Sequence, residues 1–156
     1  MEHSTTKDSH AHSSVSKCRV IELARNRHAN GSLSVVDNGD DAMPFAVRRV
    51  FYLYDVPADA ERGGHSHFTA QEMMVAVSGC FDVTLDDGVQ KRTFTLNRPY
   101  QALYIPTGLW RTLQNFSGGA VCMVLTSERY SEADYVRDYT EFKRLTGCKL
   151  TQNDAQ

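Results

Sequence analysis

Two histidines separated by one residue are the side chains of this chain best suited to acid–base or metal chemistry. They close the run Arg-Gly-Gly-His-Ser-His at residues 62–67, and Glu72 follows shortly after it. Side chains alternate along a β-strand, so His65 and His67 face the same side. A neutral imidazole accepts a proton near neutral pH and also ligates metals. The pair therefore predicts either a general base or a metal site.

Glu72 and Arg111 bear on the choice between these two chemistries. Glu72 has the opposite strand parity to the histidines, so it can join them only where the chain bends or turns. With its carboxylate turned inward, His65, His67 and Glu72 form a two-histidine, one-carboxylate set suited to iron or manganese. Arg111 has no lone pair to give a metal, and its fixed charge opposes a cation and keeps nearby imidazoles neutral. The residues favour metal-free chemistry and leave the metal site as an alternative.

Arginine and aromatic side chains elsewhere predict an anionic, ring-containing ligand. Arg49 and Arg62 lie near the predicted pocket mouth and can hold a phosphate by bidentate hydrogen bonds. Tyr104 lies on a predicted pocket strand, where it either stacks on a base or sugar or packs in the core. The net charge of −2 argues against a general nucleic-acid binder, which is usually basic. We therefore expect a local anion site and no nucleic-acid partner.

Length and composition predict one globular domain. The chain has 156 residues, of which 41% are hydrophobic and 23% charged, a composition typical of proteins with a packed core. No apolar run is long enough to cross a membrane, and the N-terminus lacks the apolar stretch of a secretory signal, so no membrane partner is expected. Four widely spaced cysteines predict free thiols in a reducing cytoplasm: Cys18, Cys80, Cys122 and Cys148.

Short β-strand patterns separated by turn signals run through most of the chain. Asp86-Asp87-Gly88 predicts a hairpin turn, and the longest strand candidate is interrupted at Ser78-Gly79 by a turn or bulge. Such a series predicts an all-β barrel or sandwich. The predicted strands cover residues 18–23, 33–36, 47–56, 72–85, 89–96, 102–105, 111–115 and 120–127.

The two ends of the chain differ from this middle part. Residues 1–17 are polar and predict a disordered tail, residues 18–146 predict the single domain, and residues 147–156 predict a second tail. The domain is expected to end in a short helix.

That helix is predicted from a change of period. Ser131 is its expected N-cap, with Asp134 as the capping-box partner. Gly147 is placed where a C-cap glycine would end the helix. One face of the helix would be formed by Tyr135, Tyr139 and Phe142.

The histidine motif resembles the first signature of the cupin barrels. That signature has His-x-His, four residues, a glutamate, six residues and a glycine, which here spans residues 65–79. Residues 106–115 are similar to the second signature, with its proline, glycine and asparagine in place. Metal-binding cupins carry a third histidine where this chain has Arg111. The resemblance implies an all-β, cupin-type antiparallel β-barrel, or jelly roll, with a short C-terminal helix.

A narrower resemblance covers residues 18–144. The chain is similar to the TDP-4-keto-6-deoxy-D-glucose 3,4-ketoisomerases, the WxcM-like group of the cupin superfamily. The resemblance implies a metal-independent enzyme without cofactor that moves the ketone of a TDP-linked 4-keto-6-deoxy sugar from C4 to C3. Its product would serve synthesis of a 3-amino-3,6-dideoxyhexose for bacterial surface glycans, such as the O-antigen of lipopolysaccharide, or for antibiotics. The matching motifs lie at residues 47–52, 62–67, 85–88, 103–105, 109–111, 123–127 and 130–137.

The resemblance also implies roles for matching residues. His65 is the base that removes the C3 proton, and His67 is its neighbour in the proton relay. Arg111 lies close to the sugar and stabilises the developing oxyanion. Arg49 and Arg62 hold the pyrophosphate.

Further substrate-binding residues and the oligomeric state follow from the same resemblance. Family members are homodimers that exchange N-terminal strands, so Asn30 is expected to reach into the pocket of the partner subunit. The substrate-binding set also includes Phe51, Gln71 and Tyr104.

The chain departs from the family pattern at three positions. Phe51 stands where an active-site tyrosine is often found, and phenylalanine has no exchangeable proton. Asn30 stands where the family often has arginine or tyrosine. Glu72 follows Gln71 where glutamine is more usual, which restores the carboxylate of the metal-binding cupins. Arg111 resembles members that lead to 3-amino-quinovose (Qui3N), whereas histidine there would indicate 3-amino-fucose (Fuc3N), so the Qui3N type is favoured.

Three other functions stay open at this stage. A nucleotide-sugar-binding cupin without turnover is favoured by Phe51 and Asn30. A nucleotide-sugar 3,5-epimerase also uses a histidine base in a β-barrel, although the motifs fit it less well. A metal-dependent cupin enzyme would use His65, His67 and Glu72.

Overall fold

Antiparallel strands make up most of the fold. The computed structural model describes residues 13–147, and within that range the chain forms twelve strands and one α-helix. The helix, α1, spans Tyr139–Leu145. The strands are β1 (Arg19–Glu22), β2 (Ala24–His28), β3 (Gly31–Val35), β4 (Arg49–Leu53), β5 (Arg62–His67), β6 (Glu72–Ser78), β7 (Phe81–Asp86), β8 (Lys91–Leu96), β9 (Gln101–Ile105), β10 (Trp110–Gln114), β11 (Val121–Thr126) and β12 (Tyr135–Val136).

The strands form two facing sheets. One has the order β1-β9-β6-β11-β4 and the other has the order β12-β5-β10-β7-β8, with antiparallel pairing throughout. Alternate side chains from both sheets meet in a buried core that includes Phe81, Leu85, Leu103 and Leu113, as the period of two predicts. This arrangement confirms the predicted all-β class and the cupin-type jelly roll. No helix in residues 13–147 has the length and apolar character needed to span a membrane.

The first sheet is covered on its outer face as well. Met73, Val75 and Leu125 point away from the main core and contact apolar side chains of the segment that connects β3 to β4, including Phe45. This double burial explains why β6 reads as a continuous apolar run after Glu72, since both faces of the strand exclude water. Side chains of β6 and β9 with outward parity therefore lie in a second core.

The long strand predicted at residues 72–85 is two strands in opposite sheets. β6 ends at Ser78 and β7 begins at Phe81, and Gly79 between them has φ +66°. A Cβ on Gly79 would lie 2.5 Å from Ser117 Oγ, so this turn excludes a larger residue. The predicted interruption at Ser78-Gly79 is confirmed, but it is a crossing between sheets.

The N-terminal segment is ordered earlier than predicted. Residues 13–17 do not belong to a disordered tail, because Val15–Lys17 form a 3-10 turn and the Val15 side chain is buried in the main core. The backbone N–H of Val15 donates to Asp87 Oδ2 at 3.0 Å. Burial of the Val15 side chain and the hydrogen bond of its backbone N–H thus offset the conformational entropy that is lost when this segment is ordered. The rest of the two predicted tails, residues 1–12 and 148–156, lies outside the described residues.

The sequence patterns missed the strand β2. β2 is polar and fully exposed along its length, and it pairs only with β3 to form a hairpin that belongs to neither main sheet. Its turn contains Asn30, followed by Gly31 with φ +135°. Because no face of β2 is buried within this chain, the alternation that identifies strands is absent.

The predicted C-terminal helix is shorter than expected and starts later. Ser131 makes no side-chain capping bond, and Glu132–Asp134 form only a 3-10 turn. The chain then extends as β12, which pairs Tyr135 with His67. The prediction was wrong because the Asp134 side chain bonds to other elements of the site, described below, and leaves the helix terminus uncapped.

Helix α1 begins at Tyr139, three residues after the end of β12. Its N-cap is Asp138, whose side chain accepts from Glu141 N at 2.8 Å. Tyr139 and Phe142 contact Trp110, with ring centroids 5.2 and 5.6 Å away. Gly147 follows the helix in the left-handed conformation, with φ +72°, as predicted. The helix therefore closes the end of the second sheet through aromatic contacts.

Candidate active site

A cavity of ≈ 310 Å³ opens between the two sheets at one end of the barrel. Its apolar walls come mainly from the first sheet, while β5, β10 and β12 of the second sheet supply ionisable and aromatic groups. An apolar cavity with a few convergent polar groups is the usual form of a small-molecule site. The lining residues are Arg49, Phe51, Leu53, Glu61, Arg62, Gly63, His65, Glu72, Met74, Arg111, Leu113, Val124, Tyr135 and Arg137.

Two glycines shape the strand that carries the histidines. Gly63 and Gly64 have φ values of +83° and +72°, and the pairing of β5 with β10 is irregular at this point. A Cβ on Gly63 would lie 3.0 Å from the carbonyl oxygen of Arg111. The close approach of the two backbones therefore requires glycine at Gly63. In this pairing His65 lies directly opposite Arg111.

Glu72 reaches the histidines from the opposite sheet. β5 lies in one sheet and β6 in the other, so the chain crosses the barrel between His67 and Glu72. Glu72 was predicted to join the histidines only if the chain bends between them, and this crossing provides that bend. It turns the Glu72 carboxylate inward. Oε1 of Glu72 lies 3.1 Å from Nε2 of His67. The side chain of Glu72 is almost fully buried.

Arg111 forms a buried ion pair with Glu72. Nη1 of Arg111 donates to Oε2 of Glu72, and Nη2 donates to the carbonyl oxygen of Leu109 at 3.1 Å. Arg111 is 0% exposed, and a buried guanidinium is tolerated only with such partners. Within residues 13–147, Nε of Arg111 has no hydrogen-bond partner. The site thus holds a fixed positive charge beside the cavity.

His67 lies between two carboxylates. Its Nδ1 is 3.0 Å from Oδ2 of Asp134 and forms a hydrogen bond. Its Nε2 faces Glu72 at ion-pair distance but without the alignment of a full hydrogen bond. The ring is 3% exposed and does not line the cavity. The predicted neighbour of the base is therefore buried behind it, with both nitrogens facing the protein.

His65 is the histidine that faces the cavity. Its ring centroid lies 4.9 Å from that of His67, edge to face, and 5.0 Å from that of Tyr135. Burial, then the charges of Arg111 and His67, lower the pKa of His65 to about 3. The imidazole is therefore neutral at physiological pH. It can accept a proton from a ligand in the cavity.

The Glu72 carboxylate is ionised. Burial alone would raise its pKa, but the Arg111 guanidinium, the close contact with His67 and the charge interactions with both histidines outweigh burial and lower the pKa to about 2. The charge of Glu72 thus neutralises that of Arg111 without a proton.

The candidate metal ligands lie together but do not fit a divalent cation. One ligand atom from each of His65, His67 and Glu72 can be chosen so that all lie within 4.8 Å of one another. However, both carboxylate oxygens of Glu72 face cationic or histidine partners, and Arg111 contacts the carboxylate directly. Both nitrogens of His67 also face carboxylates. A metal would have to displace these partners and lie beside the guanidinium, which electrostatic repulsion opposes.

Two predicted phosphate-binding arginines line the cavity. Arg49 and Arg62 are both present, as is the predicted Phe51. The guanidinium of Arg49 stacks over Phe51 and over Tyr130, at 4.6 and 5.1 Å from the ring centroids. Cation–π contacts of this kind hold the side chain in place while leaving its N–H groups free to face a ligand. Arg48 instead lies near Glu128 at the surface, with 3.7 Å between the charged atoms.

Gln71 and Tyr104 do not line this cavity, and their predicted contact with the substrate stays a prediction. They contact each other, with the Tyr104 hydroxyl donating to Gln71 Oε1 at 2.6 Å. The neighbours that face the barrel interior are Glu72 and Ile105, and strand alternation therefore turns Gln71 and Tyr104 to the outer face of the sheet. Tyr104 packs there near Phe45, with 6.4 Å between ring centroids.

Asn30 does not line the cavity of its own chain. It lies exposed at the turn of the β2–β3 hairpin. Its predicted contact with the pocket of a partner subunit stays a prediction.

Sequence patterns missed several residues of the site. Tyr135 and Arg137 line the cavity, and the Arg137 guanidinium lies 4.2 Å from the Tyr135 ring centroid. Arg137 also forms two hydrogen bonds with Glu132, at 2.7 and 3.0 Å. Asp134 lies behind them and contacts His67. The sequence analysis assigned these residues to a helix. Tyr135 and Arg137 are two positions apart, however, and in an extended segment such residues lie on the same face.

A family model and a characterised protein match most of the chain. The model described as FdtA: WxcM-like, C-terminal, matches residues 16–147. A TDP-4-oxo-6-deoxy-α-D-glucose-3,4-oxoisomerase from Aneurinibacillus thermoaerophilus is 34% identical over 126 residues, which cover 81% of this chain and 90% of that protein.

Two solved structures from Campylobacter jejuni share the fold. The WlaRB TDP-quinovose 3,4-ketoisomerase is 38% identical with a TM-score of 0.77, and the match covers 82% of this chain and 98% of that one. The WlaRA TDP-fucose-3,4-ketoisomerase is 31% identical with a TM-score of 0.78, covering 83% and 96%. Proteins named for both sugar types therefore resemble this chain.

Proposed function

The chain belongs to the WxcM-like FdtA family of TDP-sugar 3,4-ketoisomerases, and we propose that it converts TDP-4-keto-6-deoxy-D-glucose to the 3-keto sugar without a metal or other cofactor. The observation that carries this proposal is the neutral His65 at the cavity, opposite the buried ion pair of Arg111 and Glu72. Such a site offers a base and a fixed positive charge, which are the two things that enolisation next to a ketone needs.

In this reaction His65 removes the proton at C3, which the adjacent C4 ketone acidifies. The electrons of the C–H bond form an enediolate, and the negative charge on its oxygen is stabilised by Arg111. The C4 oxygen takes up a proton as the C3 hydroxyl loses its own, and protonation at C4 then leaves the ketone at C3. The apolar cavity walls lower the local dielectric, so the Arg111 charge acts more strongly than it would in water.

Arg49 and Arg62 are proposed to hold the diphosphate of the nucleotide. Both line the cavity, and a guanidinium binds phosphate oxygens in a bidentate fork. Arg137 lies close by but is already paired with Glu132. We therefore assign the main electrostatic contacts to Arg49 and Arg62.

We favour the quinovose-type product over the fucose type. Arg111 resembles the residue of the quinovose-type members at this position. The greater identity to the TDP-quinovose isomerase, 38% against 31%, supports the same choice. The product would then feed synthesis of a 3-amino-3,6-dideoxyhexose, such as a component of the O-antigen.

We also propose a homodimer in which the N-terminal strands are exchanged. The β2–β3 hairpin forms no strand pairing with either main sheet of its own chain, and a lone two-stranded hairpin is marginally stable in water. Its side chains Leu33 and Val35 are 60% and 41% exposed. A partner subunit would cover them and bring Asn30 to its pocket. Analytical ultracentrifugation tests this, since a monomer at micromolar concentration would contradict it.

We propose that the reaction takes place in the cytoplasm. Cys18, Cys80 and Cys122 are free in the described part of the chain. Free, well-separated thiols are typical of a reducing compartment.

The test is an NMR time course with TDP-4-keto-6-deoxyglucose in D₂O, using protein dialysed against EDTA. A 3-keto product carrying deuterium at C4 is the expected result, and the coupling at C4 gives the epimer. Activity that appears only after adding iron or manganese would contradict the metal-free mechanism and return His65, His67 and Glu72 to the role of ligands.

A second function is supported by Phe51, which lines the cavity without an exchangeable proton. A nucleotide-sugar-binding cupin without turnover would bind TDP in the same cavity. It predicts tight binding by calorimetry and no product in the NMR assay, with or without metal.

A further inference from the structure

Arg137 lines the cavity with its binding atoms already occupied. Nε and Nη2 of its guanidinium donate to the two carboxylate oxygens of Glu132, at 2.7 and 3.0 Å. This bidentate pairing is also the geometry in which a guanidinium binds two oxygens of a phosphate. A diphosphate that approaches Arg137 along the same edge therefore meets a position that the Glu132 carboxylate already fills.

Glu132 is also connected to a second arginine of the cavity. The hydroxyl of Tyr130 donates to Oε2 of Glu132, and the guanidinium of Arg49 lies over the Tyr130 ring, 5.1 Å from its centroid. Glu132 itself does not line the cavity. One carboxylate thus pairs directly with Arg137 and is linked through a single tyrosine to Arg49, the arginine that we assign to the diphosphate.

The pair between Arg137 and Glu132 can separate without a change of fold. The backbone just before Arg137 is held in place, because β12 pairs with β5 and the Val136 side chain is buried. The side chains of Arg137 and Glu132 are 53% and 60% exposed. An exposed ion pair is weak, because water screens both charges and the side chains lose freedom when they pair. A diphosphate carries more negative charge than one carboxylate, so it can take over the guanidinium.

A second bidentate pair of the C-terminal segment provides a comparison. Arg144 donates to both carboxylate oxygens of Glu141, at 2.8 and 2.6 Å, on the exposed side of α1. Neither of these side chains lines the cavity. The two pairs therefore have the same chemistry and similar geometry, and they differ in whether the arginine faces a ligand site.

Given the proposed ketoisomerase function, we propose that Glu132 occupies the anion-binding edge of Arg137 in the free protein and that the diphosphate of the nucleotide sugar displaces it. Arg137 then becomes a third arginine on the diphosphate, beside Arg49 and Arg62. Glu132 is an internal competitor for the phosphate groups, so it lowers the affinity of the site. Part of the free energy of ligand binding is used to separate Glu132 from Arg137.

This competition acts on binding and not on the chemical step. Glu132 lies outside the cavity and does not contact His65 or Arg111, the groups assigned to proton transfer and charge stabilisation. A residue of this kind changes the ground state and the transition state of the bound sugar equally. Its effect is therefore expected in Kd and KM.

Calorimetry with TDP and with inorganic diphosphate measures the competition directly. In Glu132→Gln the amide keeps the shape of the side chain but loses the charge that pairs with the guanidinium. The Kd for both probes is expected to fall by about two- to fivefold, the factor that corresponds to a weak exposed ion pair. If Glu132 instead positions Arg137 for the ligand, the same variant binds both probes more weakly. Weaker or unchanged binding in Glu132→Gln would overturn the proposal.

A double-variant cycle tests whether the effect passes through Arg137. Arg137→Met is expected to raise the Kd for TDP by about tenfold or more, since it removes charge-assisted hydrogen bonds to the diphosphate. Once Arg137 is absent, the further change Glu132→Gln should leave the Kd unaltered. A gain in affinity that persists in the double variant would show that Glu132 only repels the ligand at a distance, against the proposal.

Glu141→Gln is the matched control. It removes one carboxylate from the same kind of pair outside the cavity, so the Kd for both probes should equal that of the wild type. Thermal melts followed by circular dichroism establish that each variant is folded before its affinity is compared. Equal gains in Glu132→Gln and Glu141→Gln would reduce the effect to net charge and contradict the role given to Glu132.

Kinetics keep this proposal separate from the proposed function. In an active enzyme Glu132→Gln should lower KM without raising kcat. If the wild-type protein shows no ketoisomerase activity, the proposed function fails, and the affinities for inorganic diphosphate still decide the role of Glu132. If neither probe binds the wild type or Glu132→Gln, Arg137 has no anion to exchange for Glu132 and the proposal fails as well.

Discussion

Arg111 and Glu72 pair across the two sheets, with both side chains buried beside the cavity. Arg111 belongs to β10 and Glu72 to β6, and the two strands have no hydrogen bonds in common. The contact is therefore an ion pair between the two sheets. It also places a carboxylate beside His67 and a guanidinium opposite His65, so the same pair determines the electrostatics of both histidines.

Breaking this pair should destabilise the protein. In Arg111→Met the ionised Glu72 is left buried without its guanidinium, and the free energy of unfolding is expected to fall by about 3–5 kcal/mol. The measurement is urea unfolding followed by tryptophan fluorescence. Arg111→Met combined with Glu72→Gln should recover much of the loss, because no unpaired carboxylate remains. Equal stabilities of the single and double variants would show that the pair contributes little.

His65→Asn should abolish isomerisation while keeping the binding site. The asparagine fits the space but cannot accept the C3 proton, so kcat is expected to fall by about 100-fold or more. Calorimetry with TDP provides the control, since the diphosphate contacts of Arg49 and Arg62 remain. Turnover close to that of the wild type would remove His65 from the mechanism.

Stability should fall as the pH is lowered through two ranges. Burial, then Arg111, lowers the pKa of His65 from 6.5 to about 3, so the unfolded chain binds a proton at higher pH than the folded one. The stability linked to His65 is therefore complete above pH 6.5 and is lost as the pH falls towards 3. Glu72, whose pKa is lowered from 4.5 to about 2, adds a further loss below pH 4.5.

Urea midpoints measured across these two ranges check the prediction. His65→Asn should flatten the upper range and leave the lower one, because asparagine does not titrate. A wild-type midpoint that stays constant from above pH 6.5 down towards pH 3 would show that the two groups are not perturbed as described.

Replacing the cavity arginines should weaken nucleotide binding more than catalysis. Arg62→Ala or Arg49→Ala removes charge-assisted hydrogen bonds to the diphosphate, each worth about 1.5–3 kcal/mol, which corresponds to a rise of about 10- to 150-fold in the Kd for TDP. Arg48→Ala is the matched control, since Arg48 lies at the surface near Glu128. A similar loss of affinity in all three variants would indicate a general charge effect instead of specific contacts.

Local patterns were sufficient for most strands and for part of the site. Strand patterns identified β4 and β6 to β11, because each of these strands has at least one face against a core. His65 and His67 share a face through the same alternation, whereas residues 62–64, predicted as a break before the strand, are the first residues of β5. Phe51, Arg49 and Arg62, which the family resemblance assigned to the substrate site, line the cavity.

The errors have a common physical origin in contacts between distant segments. Asp134 was interpreted as a helix-capping residue, but it bonds to His67 and Thr69, which lie more than sixty positions earlier. Tyr135 was assigned to a helix face and instead lies in β12, which pairs with β5. Gln71 and Tyr104 were expected in the pocket, but they lie on the outer face of the first sheet. The sequence does not show that both faces of this sheet are buried, so it could not distinguish the two faces.

By itself, the sequence determined the all-β class, the shared face of the two histidines and the replacement of a metal ligand by Arg111, since these depend on side-chain chemistry and on the spacing of near neighbours. Only the tertiary structure decided that Glu72 faces Arg111 and His67, and that Asp134, Tyr135 and Arg137 complete the site. Those contacts join the two sheets and the C-terminal segment. They depend on where the chain crosses the barrel, which no local period encodes.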